Sequence, residues 1–361
     1  MSRIIAGMSG GVDSAVAAYL LKQAGHEVIG VTLRTWESSD GMQSRCCEID
    51  DAREAARIIG IPYYAFNCLR DFREHVTAPF IEAYIRGMTP NPCIPCNRYV
   101  KWERMLYYAQ VLHADHVATG HYASVVRLDN GRYTLKKALY SEKDQSYMLY
   151  RLTQRQLAAT LMPLGKYTKP EVRAIAGQAG LPVAEKRDSQ EICFVPGGSY
   201  AAYIEKNASV PPPGEGFFVD EAGKRLGTHR GIFHYTVGQR KGLGIALGRP
   251  VYVKAIRPET NEVVLGDGEA LYRGSISCGD VHFMSIPDLP IGGTLPCAVK
   301  VRYRHPPQAA VIGAVGPGQV RVWFRDPVRA PAPGQAAVFY DENDCVIGGG
   351  TILPDNGRDD I

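Results

Sequence analysis

Up to about residue 125 the chain alternates short β-branched runs with longer helical ones, and few folds accept that alternation. Residues 4–7, 28–33, 62–67 and 116–120 have the composition of buried strands. Between them, residues 13–23, 49–59, 72–86 and 99–112 read as helices, the first two stopped by Gly25 and Gly60. Strands joined by helical crossovers pair in parallel, so the reading is an α/β domain whose parallel sheet carries helices on both faces. Asp129-Asn130-Gly131 predicts a hairpin between residues 124–128 and 132–139, and residues 153–161 and 169–179 predict two shorter helices.

Beyond Pro211-Pro212-Pro213-Gly214 the pattern changes to short β-rich runs and glycine turns, with little helical periodicity. That texture fits two small β-rich domains divided near Leu271, the second a β-barrel. The expected division is 1–205, 206–270 and 271–361, in line with 361 residues against a prior of ~150 per domain. The sequence shows no fixed-period repeat, no apolar run of membrane-spanning length and no secretory leader at Met1–Ala6, so a cytoplasmic protein is expected. A net charge of +4 is too small to argue for nucleic-acid binding by itself. Nine cysteines without an export signal favour catalytic, redox or metal roles over structural disulfides.

Between the first strand and first helix lies Gly7-Met8-Ser9-Gly10-Gly11-Val12-Asp13-Ser14. Glycines there let the backbone approach a ligand, and the free N–H groups of a helix start attract phosphate. Ser9 and Ser14 offer hydroxyls, and Asp13 is the candidate ligand for an accompanying Mg²⁺. The lysine of the Walker loop is missing, and the dinucleotide fingerprint does not fit. A strand-to-helix turn that binds nothing is the plain alternative. The run Ser9–Ser14 resembles the pyrophosphate loop of the ATP pyrophosphatases, which split ATP into AMP and pyrophosphate while adenylating a carbonyl oxygen. This resemblance implies ATP chemistry and leaves the acceptor open.

Thr89-Pro90-Asn91-Pro92-Cys93-Ile94-Pro95-Cys96-Asn97 reads as a proline-stiffened loop before a helix. A helix start, with Arg98 and Lys101 nearby, favours thiolate at Cys93 and Cys96. Lys186-Arg187-Asp188-Ser189-Gln190-Glu191-Ile192-Cys193 sets a third thiol among cations. Two thiols that meet suit sulfur transfer, one carrying a persulfide and the other releasing it by disulfide formation. A zinc half-site at Cys93/Cys96 and a core thiol at Cys193 are the alternatives. The adjacent Cys46 and Cys47 read as a loop opening the next helix, and His113, His116 and His121 as structural or surface residues.

These segments, with Ala118-Thr119-Gly120-His121-Tyr122, Lys143-Asp144-Gln145-Ser146-Tyr147, Gly238-Gln239-Arg240-Lys241-Gly242 and Val301-Arg302-Tyr303-Arg304, resemble the tRNA-specific 2-thiouridylases over nearly the whole chain. The resemblance implies 2-thiolation of the wobble uridine of tRNA, with ATP and Mg²⁺. It implies that Gly7–Ser14, Leu33 and Gly120 bind ATP, and that Asn91, Pro92 and Cys93 face the target base. It makes Cys96 the nucleophile, Cys193 the persulfide carrier, and Lys143, Asp144, Gln145, Arg302 and Tyr303 contacts to tRNA. The partners it implies are tRNA and a sulfur donor, either a cysteine desulfurase, a relay protein or sulfide, with the chain acting as a monomer. Some members have Asp where this chain has Cys93. Related thiolating enzymes use a trio like Cys93, Cys96 and Cys193 to hold a [4Fe-4S] cluster, so cluster-bound sulfide stands beside the persulfide route.

Two stretches suit an RNA backbone. Residues 299–304 alternate as a strand would, placing Lys300, Arg302 and Arg304 on one face, about 6.6 Å apart. His229, Arg230, His234, Arg240 and Lys241 form a second basic stretch among glycines. An ordinary solvated strand face is the alternative for the first.

Overall fold

The computed structural model of the chain describes residues 1–37, 48–186 and 192–355. Cys46, Cys47 and Arg187–Glu191 lie outside the described residues. In chain order the elements begin β1 (Arg3–Gly7), α1 (Val12–Gln23), β2 (Glu27–Arg34), α2 (Ile49–Ile59), β3 (Tyr63–Asn67), α3 (Leu69–Phe72) and α4 (Ala78–Ile85). They continue with α5 (Cys93–Pro95), α6 (Trp102–Val111), β4 (His116–Ala118), β5 (Ala123–Arg127), β6 (Tyr133–Lys137), α7 (Gln154–Ala158), β7 (Thr160–Leu161), α8 (Lys169–Gln178) and α9 (Tyr200–Asn207). Two compact units divide the chain. The first comprises Met1–Val76, Cys93–Gly198 and Asn343–Ile347, and the second Thr77–Pro92, Ser199–Glu342 and Gly348–Ile361.

The first unit holds a five-stranded, all-parallel sheet in the order β3-β2-β1-β4-β7. Alternation along β1 decides which helix each side chain meets. Ile4 and Ala6 join the core formed with α1, α2 and α8, through Ala15, Val16, Ala52 and Val172. Gly7 faces the other way, where a β-carbon would run into the Met105 sulfur of α6. Ile4 and Ile5 are both fully buried, as a strand covered on both faces requires. Helices thus cover both faces, as the sequence predicts. Gly60 ends α2 in the left-handed region at φ 74°.

Three helical expectations need correction. Residues 153–161 do not form one helix: α7 ends at Ala158, and Thr160–Leu161 become an edge strand paired with β4. The Thr160 hydroxyl, buried there, accepts from the Trp102 indole at 2.7 Å, a tertiary bond that local sequence does not encode. The helix expected over 72–86 begins at Leu69 and widens into a π-type turn over Arg73–Thr77 before α4. The helix expected from 99 begins at Cys93: α5, a π-type turn over Cys96–Lys101 and α6 run on without a break. Pro95 is tolerated because first-turn N–H groups have no partner inside a helix.

The hairpin β5–β6 turns at Gly131, φ 81°. Asn343–Ile347 joins it from far along the chain: Lys137 N donates to the Asp344 carbonyl at 3.0 Å and Thr134 Oγ1 to the Val346 carbonyl at 2.5 Å.

The second unit is the β-rich part. A four-stranded sheet runs β10 (Tyr252–Arg257), β11 (Glu262–Gly266), β8 (Gly216–Val219) and β9 (Arg225–His229), around a core of Phe218, Ile232, Tyr235, Val253 and Val263. After it, β12 (Tyr272–Phe283), β15 (Gln319–Arg329), β14 (Gln308–Gly316), β13 (Thr294–Lys300), β16 (Ala336–Tyr340) and β17 (Val346–Ile352) close into a barrel. Among the described residues no helix is long and apolar enough to cross a membrane.

Candidate active site

The loop after β1 is built to present backbone. Met8 and Val12 turn their side chains into the core, which leaves only their main chain for a ligand. Gly10 sits at φ +79°, and a β-carbon there would lie 2.6 Å from the Glu48 carbonyl oxygen. The cap position of α1 is Gly11, with no side-chain cap, so the first N–H groups of α1 face the loop. Ser14 closes the loop on itself: its hydroxyl accepts from Ser9 N at 3.1 Å and donates to the Gly11 carbonyl at 3.0 Å. Behind it, Thr32 donates to the Met8 carbonyl and accepts from the Tyr63 hydroxyl, both at 2.6 Å. Leu33 is buried, so it too can offer only main chain.

Asp13 is committed differently from the sequence expectation. Both its oxygens accept from Lys169 Nζ at 2.7 Å, and Oδ1 accepts from the Tyr122 hydroxyl at 2.7 Å. The carboxylate read as a Mg²⁺ ligand is therefore held by a cation. Lys169 was invisible as a site residue because it lies 156 positions away in α8. Gly120 lies directly against the start of α1. Lys186, a cation near Cys193 in the sequence, donates from its ammonium to the Gly10 carbonyl at 3.1 Å and pairs with Glu48 and Asp51.

The cysteines fall in helical rather than loop backbone. Cys93 opens α5 and is exposed, while Cys96 is buried in the π-type turn. Such turns place side chains where a regular helix would not. Arg98, expected to favour thiolate, spends its charge on Glu103 at 2.6 Å. Cys193 is partly exposed. Its neighbour Phe194 packs edge-on against Phe72 of α3 at 5.5 Å between ring centres. The same short helix packs on the Cys96–Lys101 turn and pairs Asp71 with Arg104 of α6. The segments bearing Cys96 and Cys193 thus share one support. Asn97, also buried, donates to the Met148 carbonyl at 3.1 Å and ties the Cys96 turn to the segment after Gln145. Among the described residues no three His, Cys, Asp or Glu side chains gather where they would hold a single metal ion. His121 is held neutral: burial, aided by the Lys101 ammonium, pulls it down to about 3, and Nδ1 meets the Thr119 hydroxyl at 2.9 Å.

The tRNA-contact expectations divide. Lys143 is partly exposed and Gln145 pairs with the backbone of Tyr122, through Oε1 at 3.0 Å and N at 2.9 Å. Asp144 is buried, accepting from Ala138 N, Ser146 N and the Ser146 hydroxyl, so it shapes the loop from within. In the second unit, β13 ends at Lys300, and residues 301–305 turn, with His305 N donating to the Arg302 carbonyl. Pro306 and Pro307 cannot donate to a ladder, so the strand expected over 299–304 and its row of three cations do not form. Arg302 donates to the Arg329 carbonyl at 2.6 Å, and Lys300 lies over the Tyr303 ring. His229 leaves the basic stretch as well: buried, it bonds the Asn261 carbonyl and Gly231 N. Arg230, Arg240 and Lys241 are exposed. Asn91 and Pro92 belong to the second unit and Cys93 to the first.

Comparison with known proteins decides the family. Residues 2–197 match the model described as tRNA methyl transferase HUP domain, 206–267 the tRNA methyl transferase PRC-barrel domain, and 273–352 the aminomethyltransferase beta-barrel domain. The tRNA-specific 2-thiouridylase MnmA of Lachnoclostridium phytofermentans is 50% identical, covering 98% of this chain and 100% of that protein. The enzyme of that name in Clostridium perfringens is 46% identical over 97% and 98%. The chain belongs to the tRNA-specific 2-thiouridylase family. Among solved structures, the U34-tRNA thiolase NcsA from Methanococcus maripaludis with its [4Fe-4S] cluster is 20% identical, over 58% of this chain and 67% of that one, at a TM-score of 0.36. That likeness is too loose to bear on the chemistry. Within the 2-thiouridylase family, this chain's loop, its paired Asp13 and its two cysteine segments all lie in the first unit.

Proposed function

We propose that this chain is a tRNA-uridine 2-sulfurtransferase that thiolates C2 of the wobble uridine, position 34, at the expense of ATP. The observation that carries the reading is the backbone cradle of Gly7–Ser14 at the uncapped start of α1, in a chain half identical to full-length 2-thiouridylases. Uridine O2 attacks the α-phosphate of ATP, forming the O2-adenylated base and releasing pyrophosphate. The terminal sulfur of a persulfide on Cys193 then attacks C2, and AMP leaves with the C2–O bond electrons. Cys96 thiolate attacks the Cys193 sulfur, a Cys96–Cys193 disulfide forms, and the electron pair of the broken S–S bond stays on the sulfur now joined to C2. The base takes one proton at N3, and a thiol reductant resets the disulfide.

Asn91, Pro92 and Cys93 face the target base in this reading, and Gly120 and the Leu33 main chain face the adenosine. Mg²⁺ would neutralise phosphate charge. Sulfide carried on iron held by Cys93, Cys96 and Cys193 is the rival route, and iron-stripped protein distinguishes the two. Lys143, Gln145 and Tyr303 are the proposed tRNA contacts, with exposed Arg230, Arg240 and Lys241 on phosphates. An anticodon-loop base can be splayed out without breaking a duplex. The sulfur donor is a desulfurase or a relay protein that passes on persulfide sulfur, or sulfide that attacks the Cys96–Cys193 disulfide and leaves its sulfur as the persulfide on Cys193, and the chain acts as a monomer.

The test is nucleoside mass spectrometry of unmodified tRNA incubated anaerobically with protein, Mg-ATP and a sulfur source, using iron-loaded and iron-stripped protein. 2-Thiouridine with both preparations supports the persulfide route, and formation with loaded protein alone defeats it. Cys193→Ser should retain tRNA-dependent AMP formation and lose thiolation.

A further inference from the structure

The phosphate loop lacks the lysine that a Walker loop carries within its own turn, yet the tertiary structure brings a lysine to it. Lys169 is the first residue of α8, a position where a cation opposes the helix dipole and would not be expected for helix stability. Its start is fixed by a reciprocal cap: Thr168 accepts from Glu171 N, and Glu171 accepts from Thr168 N at 2.7 Å. With the backbone held there, the Lys169 side chain is only 11% exposed and its ammonium lies 2.7 Å from both oxygens of Asp13, the second residue of α1. Tyr122, next to Gly120, holds the same carboxylate from another side. A mostly buried ammonium therefore stands at the loop, oriented by a carboxylate that is itself fixed.

We propose that Lys169 is the phosphate-directed cation of this loop, contacting the β- and γ-phosphates of the nucleotide, with Asp13 and Tyr122 as its positioning partners. The proposal rests on reading Gly7–Ser14 as the ATP site. An ammonium on phosphate oxygens makes charge-assisted bonds and needs no residue inside the loop. The alternative is an ion pair that only joins α8 to α1. The two differ in which ligands they affect. A phosphate contact acts on ATP and pyrophosphate and spares AMP, whereas a joint between helices affects every ligand of the loop alike.

The experiment measures binding of ATP, AMP and pyrophosphate by calorimetry, with and without Mg²⁺, for the full chain and for Lys169→Met, Lys169→Arg and the double variant Asp13→Asn/Lys169→Met. The double variant leaves no unpaired carboxylate, so it keeps the test alive if Lys169→Met fails to fold. Expected are losses of about tenfold or more for ATP and pyrophosphate in both methionine variants, AMP within about twofold, and partial recovery with arginine. Equal losses for ATP and AMP, or ATP affinity unchanged, overturn the proposal. Failure of the unaltered chain to bind either nucleotide would overturn the ATP reading itself, a different result from a selective test that fails.

Discussion

Gly120 stands against Asp13 so closely that a β-carbon on it would lie 2.6 Å from the Asp13 carbonyl carbon and 2.7 Å from Ser14 N. Neither neighbour is a flexible side-chain end; both are backbone at the first turn of α1. Gly120→Ala must therefore push the end of β4 away from the phosphate loop. It should cost about 1–3 kcal/mol in urea unfolding and weaken ATP binding. Gly177→Ala, inside α8 with open space around it, should instead be neutral or stabilise by up to ~1 kcal/mol. Equal effects of the two substitutions would contradict the close approach.

The segment proposed to contact tRNA contains two different kinds of residue. Asp144→Ala leaves two buried N–H groups and the Ser146 hydroxyl without their acceptor, so it should lower stability by roughly 2–4 kcal/mol. Lys143→Ala should leave the melting temperature in place, weaken tRNA binding and reduce the salt slope by about one. Filter binding over a salt series, beside thermal melts, separates them. A salt-slope change from Asp144→Ala at unaltered stability would reverse the assignment.

Thr89, two residues before Asn91, is anchored in the second unit. Its N–H donates to the Pro333 carbonyl at 2.7 Å, and its carbonyl accepts from Gln335 Nε2 at 2.9 Å. Gln335→Ala should loosen the loop at a cost of about 1 kcal/mol, lower the rate of thiolation and leave ATP affinity as it was. Single-turnover thiolation and calorimetry together check this, and an unaltered rate would show that the anchor does not matter to the reaction.

His121 predicts an acid limb. Its folded pKa, near 3, lies below the ordinary 6.5, so the unfolded chain takes up the proton first. The stability contributed by the neutral ring is complete above about pH 6.5 and is lost as pH falls toward 3. The loss is at most ~1.4 kcal/mol per pH unit, and residual exposure of the ring reduces it. His121→Gln should flatten that slope in denaturation curves taken from pH 7 to 4. Parallel curves for the two proteins would rule the histidine out.

The local part of this protein was written in local sequence. The Gly7–Ser14 turn, the helix stop at Gly60 and the hairpin at Gly131 depend on backbone freedom within a few residues, and they appear where the residues place them. The parallel sheet followed from strand and helix spacing. What failed depended on distant partners. Residues 299–304 alternate perfectly well for a strand, but the chain turns after Lys300. Thr160 extends a helical pattern, but pairing with β4 and the bond to Trp102 make it strand. Asp144, a tRNA contact by resemblance, is buried because its loop folds around it. The lysine at the phosphate loop comes from 156 residues away, because a charge interaction depends on distance through space and carries no trace of separation along the chain. Sequence by itself determined the sheet, the loop and the cysteines; only the tertiary structure decided which charged groups meet at the loop.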